Sequence, residues 1–145
     1  MRWSWAAVAG AVALAAVAPA PVPAQDNAEV ARARQTLEYY QACERARRFA
    51  PCWGLLTKRA QGEWARQGRG TATEYAEAKG AGEPHYSSFR VMSIRRSPAR
   101  VVFVVEATGA GDTRPVVDRV EYALRREGAE WRMDALRVGQ SDTVP

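Results

Sequence analysis

The chain has 145 residues, of which 47% are hydrophobic and 26% charged, and its formal net charge at pH 7 is +5. This length supports one domain with one hydrophobic core and leaves no room for a second. The basic residues are scattered among acidic ones, which argues against a nucleic-acid-binding protein.

Residues 1–24 have the three parts of a signal peptide. Arg2 is followed by an apolar run over Trp3–Ala18, and small residues at Val22-Pro23-Ala24 suit a signal peptidase. The alternative, an uncleaved anchor, is disfavoured because this run is shorter than the ~20 residues that a spanning helix needs. We therefore expect cleavage between Ala24 and Gln25 and an exported protein, periplasmic or extracellular. The mature chain would keep a formal charge of +4 and no membrane span.

Three helices are predicted after the signal. The first, from Asn27, has one apolar stripe, and its other face is largely filled by polar residues that include Gln41 and Glu44. The stripe consists of Val30, Ala33, Leu37, Tyr40 and Cys43. The second is predicted from Pro51 to about Gln67. The third is opened by a capping box at Thr71–Glu74 and ended by the glycines at 80 and 82.

Cys43 and Cys52 are the only cysteines, and an even count in an exported protein predicts a disulfide. On one continuous helix these residues would lie about 13.5 Å apart, whereas a bridge needs Cα atoms within ~7 Å. The chain must therefore turn between them, and Phe49-Ala50-Pro51 supplies a turn. A catalytic redox pair or a metal site is disfavoured, because the spacing is not Cys-x-x-Cys and no histidine lies nearby.

After Pro84 the apolar period changes to that of strands. Four strands are predicted, and the apolar positions of the last slip phase near Asp134–Ala135, which indicates a bulge. The predicted strands are 86–96, 100–108, 114–126 and 131–138. The expected fold is α+β, with three N-terminal helices packed on a curved four-stranded antiparallel sheet. Residues 25–139 would form the single domain, and residues 140–145 a loose C-terminal tail.

Three parts of the chain resemble the nuclear transport factor 2-like superfamily, which includes SnoaL-like and ketosteroid isomerase-like proteins. The resemblance lies in the opening helices (37–42 and 52–57), a central hairpin (89–94 and 100–108) and a closing hairpin (121–128 and 131–138). It implies a cone-like scaffold and a homodimer through the outer sheet face. By this resemblance Tyr40 matches an oxyanion-binding tyrosine, and Glu121 lies near the position of a protonated acid. The catalytic base has no counterpart, because Trp64–Gly70 contains no acid, and Glu121 shares a face with Arg119 and Arg125.

The remaining polar candidates are few. His85 is the only histidine and is expected to face solvent in a loop. Asp118 follows the apolar alternation of its strand, which places it at the rim of the sheet or in a pocket, and Asp134 lies near the predicted bulge. Aromatic residues that would line a pocket, or form ordinary core, are Tyr40, Trp53, Trp64, Phe89, Phe103 and Tyr122.

These features predict an exported, non-enzymatic domain that binds a small apolar ligand or an envelope protein. No catalytic residue, metal ligand or cofactor site is predicted, since the sequence contains no nucleophile elbow, phosphate loop or zinc signature. Two alternatives stay open. One is an enzyme of the isomerase or cyclase type with a pocket in the cone, and the other is a structural accessory domain whose cavity is filled by its own side chains.

Overall fold

The computed structural model describes residues 24–82 and 84–145. The predicted signal peptide therefore lies outside the described residues, except for Ala24, where the first helix begins. Within the described part of the chain, no helix is both long enough and apolar enough to cross a membrane.

The helical half contains α1 (Ala24–Ala46), a 3-10 segment (Ala50–Leu55), α2 (Lys58–Arg66) and α3 (Ala72–Gly80). The predicted stripe of α1 faces the core, where Ala33, Leu37 and Tyr40 are at most 1% exposed. Thr71 caps α3 as predicted, because its hydroxyl accepts from the backbone N–H of Glu74. The threonine hydroxyl also donates to the Glu74 carboxylate at 2.8 Å.

The prediction of a single helix from Pro51 to Gln67 is wrong. The 3-10 segment ends at Leu55, and the next two residues are extended. Leu56 forms an isolated parallel bridge with Met133, and the Thr57 backbone N–H donates to the Met133 carbonyl at 2.8 Å. These bonds to the sheet replace the bonds that a continuous helix would make at this point, so the helix is interrupted.

The predicted disulfide is confirmed. Cys43 near the end of α1 is bonded to Cys52 in the 3-10 segment, and their Cα atoms are 6.6 Å apart. Arg47 adopts a positive φ of 54°, and the chain turns there before Pro51 enters the 3-10 segment. The bond therefore joins two segments that the turn brings together.

Five strands form one antiparallel sheet with neighbours in chain order, and the fold is therefore α+β as predicted. The strands are β1 (His85–Ser97), β2 (Arg100–Ala110), β3 (Pro115–Glu127), β4 (Glu130–Val138) and β5 (Ser141–Thr143). The four predicted strands are present with small differences in their ends. The prediction of a loose tail at 140–145 is wrong, because β5 pairs with β4 and Pro145 is buried.

The two faces of the sheet differ. The inner face packs on the helices through alternate residues such as Phe103, Tyr122 and Leu136, all in one hydrophobic core. On the outer face Val102, Val104 and Ala123 are also buried, although they lie outside that core. Long charged side chains of the outer face cover these three residues, since arginine stems readily lie along apolar surface.

The predicted bulge is confirmed at Asp134. The β3–β4 register passes from Ala123 opposite Ala135 to Leu124 opposite Met133, which leaves Asp134 as the extra residue. The Asp134 carboxylate is 5% exposed and accepts from the Thr57 hydroxyl at 2.8 Å and from Arg59 Nε at 3.0 Å. Asp134 therefore ties the start of α2 to the bulge, because Thr57 is also the N-cap of α2.

Replacing Thr57 by valine is expected to lower the free energy of unfolding by about 2 kcal/mol, because it removes an N-cap and leaves a buried carboxylate oxygen short of a donor. Thr71→Val is the matched control, since Thr71 is exposed and caps α3 without a buried partner. That change should cost about 1 kcal/mol. Urea denaturation at pH 7 measures both. Equal losses would show that the bond to Asp134 adds no stability.

Candidate functional site

A group of polar side chains lies inside the core, between α1, α3 and the inner face of the sheet. We call it the buried polar cluster, and it consists of Tyr40, Gln41 and Glu44 from α1, Tyr75 and Lys79 from α3, and Tyr122 from β3. In α1 the spacing of Tyr40 and Glu44 places them one turn apart on one side of the helix. In α3 Tyr75 and Lys79 have the same spacing. The two helices therefore present their polar groups to the same part of the sheet.

Glu44 is the acidic centre of the cluster. It is 7% exposed, and its Oε1 accepts a hydrogen bond of 3.0 Å from the Tyr122 hydroxyl. Burial raises the pKa of the Glu44 carboxyl to about 7, against the opposing effects of Lys79 and of the Tyr122 hydrogen bond. At neutral pH the site therefore holds a carboxyl group close to half protonation, which can either donate or accept a proton.

Within residues 24–82 and 84–145, three donors of the cluster lack a hydrogen bond of ordinary geometry. Tyr40 Oη, Gln41 Nε2 and Tyr75 Oη are buried and unpaired among the described residues. The hydroxyls of Tyr40 and Tyr75 influence each other's pKa, and Gln41 influences the pKa of Tyr122, but neither pair has a hydrogen bond of ordinary geometry. Burial raises the pKa of both tyrosines, so both stay protonated and able to donate. Buried donors of this kind are rare in folded proteins.

Lys79 lies at the border of the cluster. Its ammonium group is 5.7 Å from the centre of the Tyr40 ring and 5.5 Å from that of Phe49. Although the side chain is partly exposed, desolvation lowers the Lys79 pKa, and the neighbouring Glu44 opposes this effect. Arg47 secures this end of α3, since its guanidinium donates to the carbonyls of Gly80 at 2.8 Å and Gly82 at 2.7 Å.

A second polar pair lies at the β1 side of the site. The Tyr86 hydroxyl donates to Asp118 Oδ2 at 2.6 Å, and Asp118 is partly buried. The close approach of β1 and β2 positions Tyr86, because a Cβ on Gly109 would lie 1.9 Å from the His85 carbonyl oxygen. Only glycine fits there. Asp118 therefore has Tyr86 as its hydrogen-bond partner.

The predicted pocket residues fall into three groups. Tyr40 and Tyr122 are in edge contact, with ring centres 6.2 Å apart, and Phe103 lies beside Tyr122 on the neighbouring strand. Trp53 and Trp64 both contact Tyr75, each with ring centres 5.3 Å apart. The ring centres of Phe89 and Tyr86 are 6.2 Å apart. Phe89 therefore lies in the same group as Asp118, which accepts a hydrogen bond from Tyr86.

Other residues singled out from the sequence lie away from the cluster. Glu121 is on the outer face, bonded to Arg95 at 2.9 Å, and so cannot act with Tyr40 as the resemblance implies. Asp134 lies at the bulge. His85 is exposed as predicted, but it is the first residue of β1 rather than part of a loop. Among the described residues no group of histidine, cysteine, aspartate or glutamate side chains could hold a metal ion.

Cleft space of about 940 Å³ in total borders the two faces of the sheet, and Glu44 and Lys79 of the cluster line part of it. Its lining comes from both faces of the sheet, for example Glu44 and Lys79 on the inner side and Arg95 and Glu121 on the outer side. Because the sheet separates these residues, the cleft is better described as two recesses. The inner recess is bordered by Glu44, Arg47, Phe49, Lys79 and Tyr86.

Sequence reasoning missed most of the cluster. The sequence pattern assigns Gln41 and Glu44 to the polar face of α1, opposite the apolar stripe, but both residues are buried and at most 7% exposed. One signal was available, because Glu44 follows Leu37 by seven residues and Tyr40 by four, which is the spacing of one helix face. Tyr75 and Lys79 carried no such signal in a helix as short as α3.

Comparison with known proteins finds no matching family model, no matching curated protein and no matching solved structure.

Proposed function

We propose that the protein is an exported binding domain for a small, mainly apolar ligand that carries one hydrogen-bond-accepting oxygen. The observation that carries this proposal is the set of three unpaired buried donors beside Glu44. A carbonyl or carboxylate oxygen of a ligand would accept from Tyr40 and Tyr75, and aromatic side chains would surround the apolar part. Leaving each donor unpaired costs about 1–3 kcal/mol, so a bound oxygen would recover this energy.

The surroundings of the cluster support an apolar ligand body. Tyr75 is in contact with Phe49, Trp53 and Trp64, and the Tyr40 ring contacts that of Tyr122. Such sites are typically lined by apolar and aromatic groups with a few polar atoms that orient the ligand. The partly exposed Lys79 lies where the inner recess meets solvent, and its charge would favour a carboxylate there. A cone-like curvature of the sheet is part of this proposal.

Export is supported by two features. The segment 1–24 has the pattern of a signal peptide. The Cys43–Cys52 disulfide is consistent with an oxidising compartment. We therefore place the binding function in the periplasm or outside the cell.

Native mass spectrometry of the protein purified from its own host tests the proposal. We expect an added mass of a small organic molecule on the wild type and its loss from the Tyr40→Phe/Tyr75→Phe double variant. The double variant should be at least as stable as the wild type, because removing an unpaired buried hydroxyl removes a cost of about 1 kcal/mol or more. Tyr39→Phe is the matched control, since Tyr39 is on the same helix and 55% exposed.

Tyr122→Phe calibrates the stability measurement. It breaks the bond to Glu44 and should lower the free energy of unfolding by about 1–3 kcal/mol. If the double variant lost as much stability and the wild type carried no added mass, the hydroxyls would be structural. The domain would then be an accessory domain with a filled cavity.

The pKa of Glu44 favours a second candidate function, an isomerase-type enzyme. A carboxyl with a pKa of about 7 beside tyrosine donors can take a proton from the carbon next to a carbonyl and return it elsewhere, while the tyrosines stabilise the enolate oxygen. Exchange of that proton for deuterium in an enolisable ketone, followed by NMR, distinguishes the candidates. An enzyme would catalyse the exchange and lose it on Glu44→Gln, whereas a binding domain would not catalyse it.

A further inference from the structure

The outer face of the sheet carries more guanidinium groups than its carboxylates neutralise. Arg95, Arg119 and Arg137 all approach one carboxylate, Glu121, with nitrogen–oxygen distances of 2.9, 3.8 and 3.9 Å. The side chain of Glu121 is 16% exposed, whereas those of the three arginines are 52–68% exposed. The carboxylate is thus enclosed, and the donors that it does not use face outwards.

A second carboxylate repeats this arrangement at the β4 side. Asp134 is shared by Arg59 at 3.0 Å and Arg125 at 3.8 Å, and both arginine side chains are more than half exposed. Arg137 is also paired with a third carboxylate, that of Asp142, at 2.7 Å. Each guanidinium has five donors, so three carboxylates cannot use all the donors of five arginines. Unused donors on this face are therefore available to an anion from outside the chain.

The strand register places arginines directly opposite one another. Arg100 on β2 lies directly opposite Arg125 on β3, which in turn lies opposite Arg132 on β4. Like charges in directly opposed positions destabilise a sheet. Arg132 is neutralised by Glu127 and Glu130, but Arg100 has no ion-pair partner among the described residues. The cost at Arg100 and Arg125 would be relieved by a bound anion.

Small apolar residues lie between the arginines. Val102, Ala123 and Ala135 follow one another across β2, β3 and β4 in register, and they belong to the recess on the outer face together with Arg59, Arg95, Arg100 and Arg137. We call this strip and its arginine border the outer groove. The strip crosses the strands, and Arg95 lies at its β1 end, opposite Val102. Two rows border it at a distance of two residues on either side, about 13 Å apart by strand geometry. Arg100 and Arg125 belong to one row, and Glu121 and Arg137 to the other. One extended chain fits this width.

We propose that the outer groove docks an extended acidic peptide segment of a partner protein. Carboxylates at alternate positions of an extended chain repeat about every 7 Å, within reach of arginines on strands about 4.8 Å apart. Arginine is suited to them because it can hold carboxylates through paired hydrogen bonds. A peptide is favoured over an anionic glycan because the strip offers no aromatic ring on which a sugar could stack. Val102 and Ala123 are 8% and 3% exposed, so the arginine stems that cover them move aside when the peptide binds. This surface is separate from the ligand site proposed above.

Fluorescence polarisation with a labelled, end-capped octapeptide of alternating glutamate and alanine tests the proposal. We expect saturable binding at low ionic strength that weakens with added salt, and no binding of the same peptide with glutamine for glutamate. Arg95→Gln/Arg100→Gln should weaken binding about tenfold or more. Arg48→Gln/Arg69→Gln removes the same charge at exposed positions outside the groove and should change the affinity less than about twofold. Thermal denaturation confirms that each variant is folded.

Two further variants separate shape and geometry from charge. Ala123→Leu fills the floor without changing the charge and should also abolish binding. Arg95→Lys/Arg100→Lys keeps the charge but loses the paired hydrogen bonds, and should weaken binding severalfold.

Four results would overturn the proposal. The first is that the peptide does not bind at low ionic strength, and the second is an equal loss of peptide affinity in the two double glutamine variants. The third is binding of anionic phosphatidylglycerol vesicles but not of the peptide. The fourth is a dimer that buries the groove and excludes the peptide.

Discussion

Replacing Cys43 by serine is expected to lower the free energy of unfolding by about 2–3 kcal/mol and to leave the fold recognisable. The Cys43–Cys52 bond closes a loop with a sequence separation of nine. In the chain-entropy model, opening a loop of this size raises the conformational entropy of the unfolded state. This stabilises the unfolded state by about 2–3 kcal/mol. Urea denaturation under non-reducing conditions measures the loss.

Reduced wild-type protein is the control for this prediction. It retains both cysteines, so it isolates the effect of the bond from that of placing a serine hydroxyl in the core. Its stability should approach that of the variant, and reductant should not change the variant further. Alkylation of two thiols on native protein before any reduction would show that the bond does not form.

The largest pH-dependent effect is expected at Glu44. Its pKa is about 7 in the folded protein and near 4.5 when the chain is unfolded. Between these values the folded state binds more protons, so the stability contributed by the neutral carboxyl is complete below about pH 4.5 and is lost as the pH rises through about 7. The loss amounts to about 3 kcal/mol.

Glu44→Gln tests this expectation because glutamine is neutral throughout and can still accept from the Tyr122 hydroxyl. The difference in unfolding free energy between variant and wild type should grow in favour of the variant from pH 4.5 to 7 and then level off. Glu38→Gln, at an exposed position of the same helix, should show no such trend. A constant difference across this range would mean that the pKa of Glu44 is the same in the folded and the unfolded protein.

Both predictions concern the contact between α1 and the rest of the fold. The disulfide can be predicted from the sequence, whereas the pKa of Glu44 cannot. The disulfide follows from the count of cysteines, the spacing and the intervening proline, all of which are local. The behaviour of Glu44 depends on Tyr122 and Lys79, which lie far away along the chain. No helical pattern in α1 indicates that a carboxyl will have those neighbours.

Local interactions specify one group of features, and the sequence predicts each of them. The apolar stripe of α1, the Thr71 cap, the turn before Pro51, the alternation of β1–β4 and the phase slip at Asp134 are all present in the structure. The placement of Glu121 on the outer face follows from the same alternation. Each of these features depends on residues within a few positions of one another, so periodicity alone reveals it.

Three other features depend on contacts between elements, which the sequence pattern does not predict. The second helix is interrupted because Thr57 bonds to Met133 on β4, and residues 141–143 form a strand because β4 offers them an open edge. Gln41 and Glu44 are buried because α3 and the sheet cover them. In each case a contact with another element outweighs the local preference of the chain. That element is far along the chain for Thr57 and Glu44, and it is the preceding strand for β5.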